Sequence, residues 1–204
     1  MSKRRSTELK RCPRCRIHQA LCFCEYLVPI ETKNRISIIM HHREEHLTSN
    51  TATLAEKILP NAKIFMRGLL NEPFSIEKMS CCPDELTLFL YPHENALELN
   101  SDNFALLNRQ KIHLIVPDGS WSQARKVYKR EKEMEKITCV KLPPGLSSEY
   151  YLRKTHIAGG LSTFEAIARA VGIIENLTIE NQMMAIFRIM VERVIKSRTT
   201  FHND

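Results

Sequence analysis

Five short apolar runs, spaced by stretches of helical character, restrict the fold of this 204-residue chain more than any other feature. The runs fall at 35–41, 62–66, 86–91, 112–117 and 137–142, each short enough for a strand and bounded by turn-forming or charged residues. Between the first two, Asn50 or Thr51 caps a helix through Leu59, and Pro60 stops it. Between the last two, Ser120 with Gln123 makes a capping box that opens a helix over 121–134. Ser162 with Glu165 makes a second box before 163–175, and apolar positions 183, 186, 187, 190, 191 and 194 predict a final helix from 178 or 179 to about 197. Strands separated by helices pair in parallel, so the fold class is α/β, a mostly parallel sheet flanked by helices. The stretch 94–109 reads as a polar connection.

In such sheets ligands bind beyond the carboxyl ends of the strands. Two of those ends are informative: Leu90-Tyr91-Pro92, and Pro117-Asp118-Gly119-Ser120-Trp121. The second places a carboxylate, a flexible glycine, a hydroxyl and the only tryptophan at the start of a helix.

Ahead of the sheet, four of seven cysteines crowd into thirteen residues as Cys12-x2-Cys15-x6-Cys22-x-Cys24. Four thiolates suit tetrahedral zinc, and a two-residue gap lets both sulfurs of a knuckle face one ion. Clustered cysteines in a reducing compartment point to metal rather than disulfides. The second pair is tighter than a usual knuckle, and His18 is a possible replacement ligand. Residues 1–28 are therefore expected to form a basic zinc-binding segment, and 29–204 the main domain. Cys81, Cys82 and Cys139 lack such spacing and read as small core or loop residues.

Charge extends the reading. The net is +7, and residues 1–16 alone carry +6, through Lys3, Arg4, Arg5, Lys10, Arg11, Arg14 and Arg16 against Glu8. Concentrated positive charge releases counterions from a phosphate backbone, so this end is expected to meet nucleic acid. A second basic stretch, Arg125, Lys126, Lys129, Arg130, Lys132 and Lys136, is diluted by three glutamates and reads equally as a solvated helix face. No apolar run approaches the ~20 residues of a membrane span, and the polar start does not resemble a secretory signal, so a cytoplasmic location is expected. His41, His42 and His46 with Glu44 and Glu45 lack helix-based metal spacing; with Arg43 they read as a polar loop lining a cleft or touching phosphate. Gly159 and Gly160 supply a pliable loop before the second capping box, with Tyr151, Arg153, Lys154 and His156 just upstream. The arginine and the lysine offer cations for a carboxylate or phosphate. There is no GxGxxG and no P-loop, which argues against a dinucleotide or nucleoside triphosphate.

Asp118-Gly119-Ser120-Trp121, extended to Gln123-Ala124-Arg125-Lys126, resembles the Asp-x-Thr-Trp motif of the DTW-domain family, which includes bacterial tRNA-uridine aminocarboxypropyltransferases. Serine here stands for threonine, keeping the hydroxyl. Leu90-Tyr91-Pro92, Ser49-Asn50-Thr51, Tyr151-Leu152-Arg153 and Leu161-Ser162-Thr163-Phe164-Glu165-Ala166 are similar to further family elements in the same order. His41-His42 departs from the usual His-Pro. The resemblance implies a SPOUT-like fold with a trefoil knot in its C-terminal half, and S-adenosylmethionine as cosubstrate. It also implies transfer of the 3-amino-3-carboxypropyl chain to N3 of a tRNA uridine, with methylthioadenosine leaving.

On that reading Asp118, Ser120 and Trp121 serve the chemistry, Asp118 as general base or as partner of the amino-acid ammonium. Leu90, Tyr91, Pro92, Asp118, Gly119, Tyr151, Arg153, Leu161, Ser162, Thr163 and Glu165 enclose the cosubstrate. Arg4, Arg5, Arg11, Arg14, Arg16, Arg43, Asn50, Arg125 and Lys126 face the RNA. No obligate protein partner is implied. Two rival functions stay open on the residues: an RNA methyltransferase on the same scaffold, and a non-catalytic zinc-containing RNA-binding protein.

Overall fold

A computed structural model describes residues 11–79, 84–100, 111–151 and 160–201. Six strands pair in parallel: β1 (Arg35–His41), β2 (Ala62–Arg67), β3 (Glu85–Leu90), β4 (Leu97–Glu98), β5 (Lys111–Asp118) and β6 (Thr138–Lys141). Their order in the sheet is β2-β1-β5-β3-β6-β4, which puts β5 between β1 and β3 although it follows both in sequence. All five expected strands are present, the first at its expected bounds and the others with one or both ends shifted by a residue. The sixth, β4, lies in the stretch read as a polar connection and joins the edge of β6 through Leu97 and Glu98.

Among the described residues four α-helices cover the sheet: α1 (Ala52–Ile58), α2 (Trp121–Arg130), α3 (Thr163–Ile174) and α4 (Leu177–Phe201). Because side chains alternate across a strand, one set of positions faces each layer. Ile36, Ile38 and Met40 of β1, with Leu114 and Val116 of β5, pack against α1, α3 and α4. Ile39, Phe89 and Ile115 face the other way, onto Val127 of α2 and Met134. The predicted helix 121–134 ends four residues early. Glu131 turns extended (φ −88°, ψ 97°), its carboxylate pairs with Arg67 at 2.7 Å, and a 3-10 turn over Lys132–Lys136 then drops Met134 into the core. The last helix begins earlier than expected, because the Asn176 side chain accepts a hydrogen bond from the Ile179 N–H and so caps it.

Residues 11–28 are built into the main core. Ile17, Phe23 and Leu27 are buried in the same apolar cluster as α1, α3 and α4, and the turn at Gln19–Leu21 meets α4. Residues 152–159, in the half of the chain where the knot is expected, lie outside the described residues together with their Arg153, Lys154, His156 and Gly159, as do Arg4, Arg5, Cys81 and Cys82.

Candidate active site

Asp118 is the last residue of β5, and alternation decides where it points. Even-numbered positions of β5 face α3, so the carboxylate follows Leu114 and Val116 into that layer. There it is 5% exposed, at the N-terminus of α3, where the helix dipole favours negative charge. Two uncharged donors hold it. Asn50 Nδ2 donates to Oδ2 at 2.7 Å, and Thr163 Oγ1 donates to Oδ1 at 2.6 Å. The Asn50 carbonyl oxygen in turn accepts from the Thr53 N–H, so the amide orientation is fixed from both ends.

Neighbouring bonds lock the three segments that meet here. Thr51 Oγ1 accepts from the Phe164 N–H, and Tyr150 Oη donates to the Ser49 carbonyl at 2.6 Å. Glu165, 1% exposed, accepts from Ser148 Oγ, the Glu149 N–H and the Ser162 N–H. Glu165 was expected against the cosubstrate; the structure gives its carboxylate the work of fastening 148–149 to the start of α3. Ser162 completes the box by accepting from the Glu165 N–H.

On the opposite side of β5, Ser120 accepts from the Gln123 N–H and the Gln123 side chain accepts from the Ser120 N–H at 2.5 Å. That box accounts for two neighbours at once. The Ser120 hydroxyl serves as cap, and Gly119 sits at φ 139° with Gln123 Oε1 only 2.5 Å from where a Cβ would be. Trp121 follows with its side chain outward, 45% exposed, not packed on the sheet.

At the end of β3, Leu90 is buried, Tyr91 half-buried and Pro92 exposed. Phe89, Tyr91 and Tyr128 of α2 form a stacked set with centroids 5.6 to 6.1 Å apart, and His93 leans on Tyr128 at 4.8 Å. Burial pushes the Tyr91 hydroxyl above its ordinary pKa, against the pull of Arg125. Burial likewise pushes the Cys139 thiol up to about 11 where it donates to the Tyr91 carbonyl. Tyr151 is largely exposed, Leu161 and Thr163 half-buried, and Gly160 buried.

The expected RNA-facing residues divide. Arg14, Arg43, Arg125 and Lys126 are exposed. Arg11 donates to the Arg16 carbonyl, and Arg16 to that of Glu45. Asn50 is 4% exposed and belongs to the carboxylate site, not to the surface. The histidine segment makes a 3-10 turn, His42–Glu44, after His41. Burial lowers the His41 pKa, and the positive charges of Arg43, Arg67 and Lys126, drawn from three elements, lower it further.

The four cysteines converge. Their sulfurs lie within 4.8 Å of one another, Cys12 to Cys24 at 3.5 Å and Cys15 to Cys22 at 3.7 Å. Tetrahedral sulfurs at the usual zinc distance of about 2.3 Å stand about 3.8 Å apart, so the set fits such an ion with small side-chain adjustments. The knuckle is shaped for it. The Arg16 N–H bonds to the Cys12 carbonyl and the Cys12 N–H to that of Ile17, with Arg16 in the left-handed region at φ 63°. Backbone N–H groups of Cys15 and Arg14 hold the Cys12 thiol down to about 6, while burial pushes those of Cys15 and Cys24 up. His18 is no substitute ligand: its Nδ1 accepts from the Ala20 N–H.

A parallel sheet with a buried, hydrogen-bonded carboxylate at a central strand end defines an α/β protein with a candidate ligand site at its carboxyl edge. The chain belongs to the DTW domain family, whose pattern matches residues 9–195. It is 32% identical over 171 residues to tRNA-uridine aminocarboxypropyltransferase 2 of Mus musculus, covering 80% of this chain and 56% of the relative. With tRNA-uridine aminocarboxypropyltransferase A of Arabidopsis thaliana it shares 29% over 210 residues, 88% of this chain and 79% of that one. The chain thus spans little more than half the length of the mammalian relatives. A solved SAM-dependent rRNA:acp-transferase from Vulcanisaeta distributa aligns at 21% identity and a TM-score of 0.49, over 81% of this chain and 80% of that one.

Proposed function

We propose that this protein transfers the 3-amino-3-carboxypropyl group of S-adenosylmethionine to N3 of a uridine in tRNA, releasing methylthioadenosine. The observation that carries the reading is the Asp118 carboxylate, buried at the end of β5 and oriented by Asn50 and Thr163. The relatives named above carry that activity in their names.

The cosubstrate supplies an alkyl carbon made electrophilic by its sulfonium, so the protein's task is mainly positioning. Uridine N3–H must lose its proton as the N3–carbon bond forms and the carbon–sulfur bond breaks toward sulfur. Asp118 serves that site either by accepting the proton or by holding the ammonium of the transferred chain. Leu90, Tyr91, Pro92, Leu161 and Thr163 line the cosubstrate side, with Gly119, Ser120, Ser162 and Glu165 shaping the turns that bring them together. Arg153 pairs with the cosubstrate carboxylate, and Tyr151 borders it. Trp121, exposed beside Asp118 in sequence, stacks on the acceptor base. Arg14, Arg43, Arg125 and Lys126, with Arg4, Arg5 and Arg11, track the RNA backbone.

The metal at Cys12, Cys15, Cys22 and Cys24 is zinc, structural rather than catalytic, since all four positions are protein thiolates. A tRNA substrate and thiols kept for metal both fit the cytoplasm. Among the described residues no helix is long and apolar enough to cross a membrane. The C-terminal half takes the SPOUT-type knotted path.

The test is to incubate the protein with labelled S-adenosylmethionine and total tRNA, then separate nucleosides and by-products by chromatography and mass spectrometry. Methylthioadenosine and a uridine heavier by one aminocarboxypropyl group are expected. S-adenosylhomocysteine with a methylated base in their place refutes the reading.

A further inference from the structure

The cysteine knuckle does more than close a loop. It forms one wall of a small recess of about 20 Å³, open to solvent, whose other walls come from the 47–50 turn, α1 and α4. Cys15 and Phe23 of the clip and Met190 and Val194 of α4 give the floor its apolar part. The polar part is cationic: Arg16 and Lys57, with Thr48, Thr53 and Asn50 beside them. Among the described residues no carboxylate lines the recess. Glu56, the neighbour of Lys57, is turned to the Ile64 N–H at 2.9 Å.

We propose that this recess is a subsite for a backbone phosphate of the RNA strand that carries the acceptor uridine, gripped between Arg16 and Lys57. The inference rests on the RNA substrate proposed above and adds the place where the strand is held. Three features support it. First, Arg16 is fixed in place: its backbone sits in the left-handed region inside the knuckle, and its guanidinium donates to the Glu45 carbonyl. A guanidinium has five N–H donors, so one such bond leaves a fork suited to phosphate. Second, Lys57 in the last turn of α1 lines the same recess half-buried; burial lowers its pKa and the Arg16 charge lowers it further, against the pull of Cys15, Cys24 and Glu56. An anion lying between the two side chains is attracted by both charges. Third, Asn50 belongs to both places: the residue lines the recess, and its amide holds Asp118 at 2.7 Å. A strand held in the recess therefore passes the carboxylate that serves the transfer. The hydroxyls of Thr48 and Thr53 offer additional donors to phosphate oxygens.

The experiment compares the full chain with Lys57→Met, which keeps the apolar stem and removes the charge, and with Lys57→Arg, which keeps the charge. Binding of total tRNA is followed by fluorescence anisotropy across a salt series, S-adenosylmethionine binding by calorimetry, and zinc by a colorimetric release assay. For Lys57→Met the proposal expects about tenfold weaker tRNA binding near physiological salt. The slope of log Kd against log salt should fall by about one, the signature of one lost phosphate contact. Lys57→Arg should retain the wild-type slope, and cosubstrate binding should be the same in all three proteins. Unchanged tRNA affinity and slope in Lys57→Met overturn the proposal. So does loss of zinc by that variant, which would assign the two cations to balancing the thiolate cluster. The proposed reaction is judged separately, by the nucleoside products of the wild-type protein, so either idea can fail without the other.

Discussion

Asn50 looks like an ordinary helix-capping residue until its amide is traced to Asp118. It and Thr163 both donate to that carboxylate, and a hydrogen bond to a charged acceptor is worth about 1.5–3 kcal/mol. Removing one should therefore slow transfer by roughly ten- to a hundredfold, whichever role Asp118 plays. Asn50→Ala and Thr163→Val are expected to fall in that range in a methylthioadenosine-release assay. Asn50→Asp should be worse than Asn50→Ala, because it sets a second carboxylate against the first. Rates within threefold of wild type for all three would remove the pair from the site. The sequence made Asp118 visible, since a carboxylate at a strand end before a capping box has few other readings. It did not show the partners. Asn50 lies 68 positions and Thr163 45 positions away, and only the folded chain brings them within hydrogen-bond reach. The same limit made Asn50 look like a surface contact and Glu165 like a cosubstrate contact. Short-range spacing reveals a cap, not what else its side chain touches.

The strands show what periodicity can and cannot reveal. β1 and β5 were legible as apolar runs, and their alternation correctly splits the two packing layers. β4 was not, because two residues carry no period, and the insertion of β5 between β1 and β3 has no local signal. Nor was a polar relay buried across β1 and β5. His113 is fully buried, with Nε2 2.7 Å from Ser37 Oγ and Nδ1 3.1 Å from Arg35, which pairs with Glu85. Arginine only donates, so Nδ1 accepts and the Nε2–H donates to Ser37. Burial, reinforced by the Arg35 charge, lowers the His113 pKa to about 4. The unfolded chain then takes up this proton first as pH falls. The stability held by neutral His113 is complete above pH 6.5 and is lost as pH falls toward about 4, by at most about 3 kcal/mol. His113→Gln retains an acceptor for Arg35 and a donor for Ser37 but cannot titrate. Urea unfolding at pH 7 and pH 4 should show a smaller acid loss in this variant than in wild type. Equal losses in both would show that the relay does not contribute to acid sensitivity.

For the molecule as a whole, the cysteine segment changes character once its packing is known. From spacing alone it is a separable front end, 1–28, anchored beside a catalytic domain. In the structure Ile17, Phe23 and Leu27 share one core with α1, α3 and α4, and the knuckle walls the recess that holds Arg16 and Lys57. Spacing could reveal the four ligands because a metal site is local in sequence; it could not reveal that their backing is the core itself. Structural zinc contributes about 10–16 kcal/mol of apparent binding energy in small zinc folds, and a zinc held by these thiols would couple part of that energy to the main domain. The wild-type protein is therefore expected to carry one zinc per chain by mass spectrometry. The Cys12→Ser, Cys24→Ser double variant should carry none and melt at least about 5 °C lower, since each 1 kcal/mol shifts a domain of this size by about 2–4 °C. Below that melting point it should still bind S-adenosylmethionine, because Asp118, Asn50 and Thr163 are held by α1, α3 and β5 rather than by the thiols. Binding of tRNA should fall, because Arg16 loses the knuckle that fixes it. A melting temperature unchanged by metal loss would return the clip to a detachable anchor; metal-free wild-type protein with full tRNA affinity would remove the metal from the account altogether.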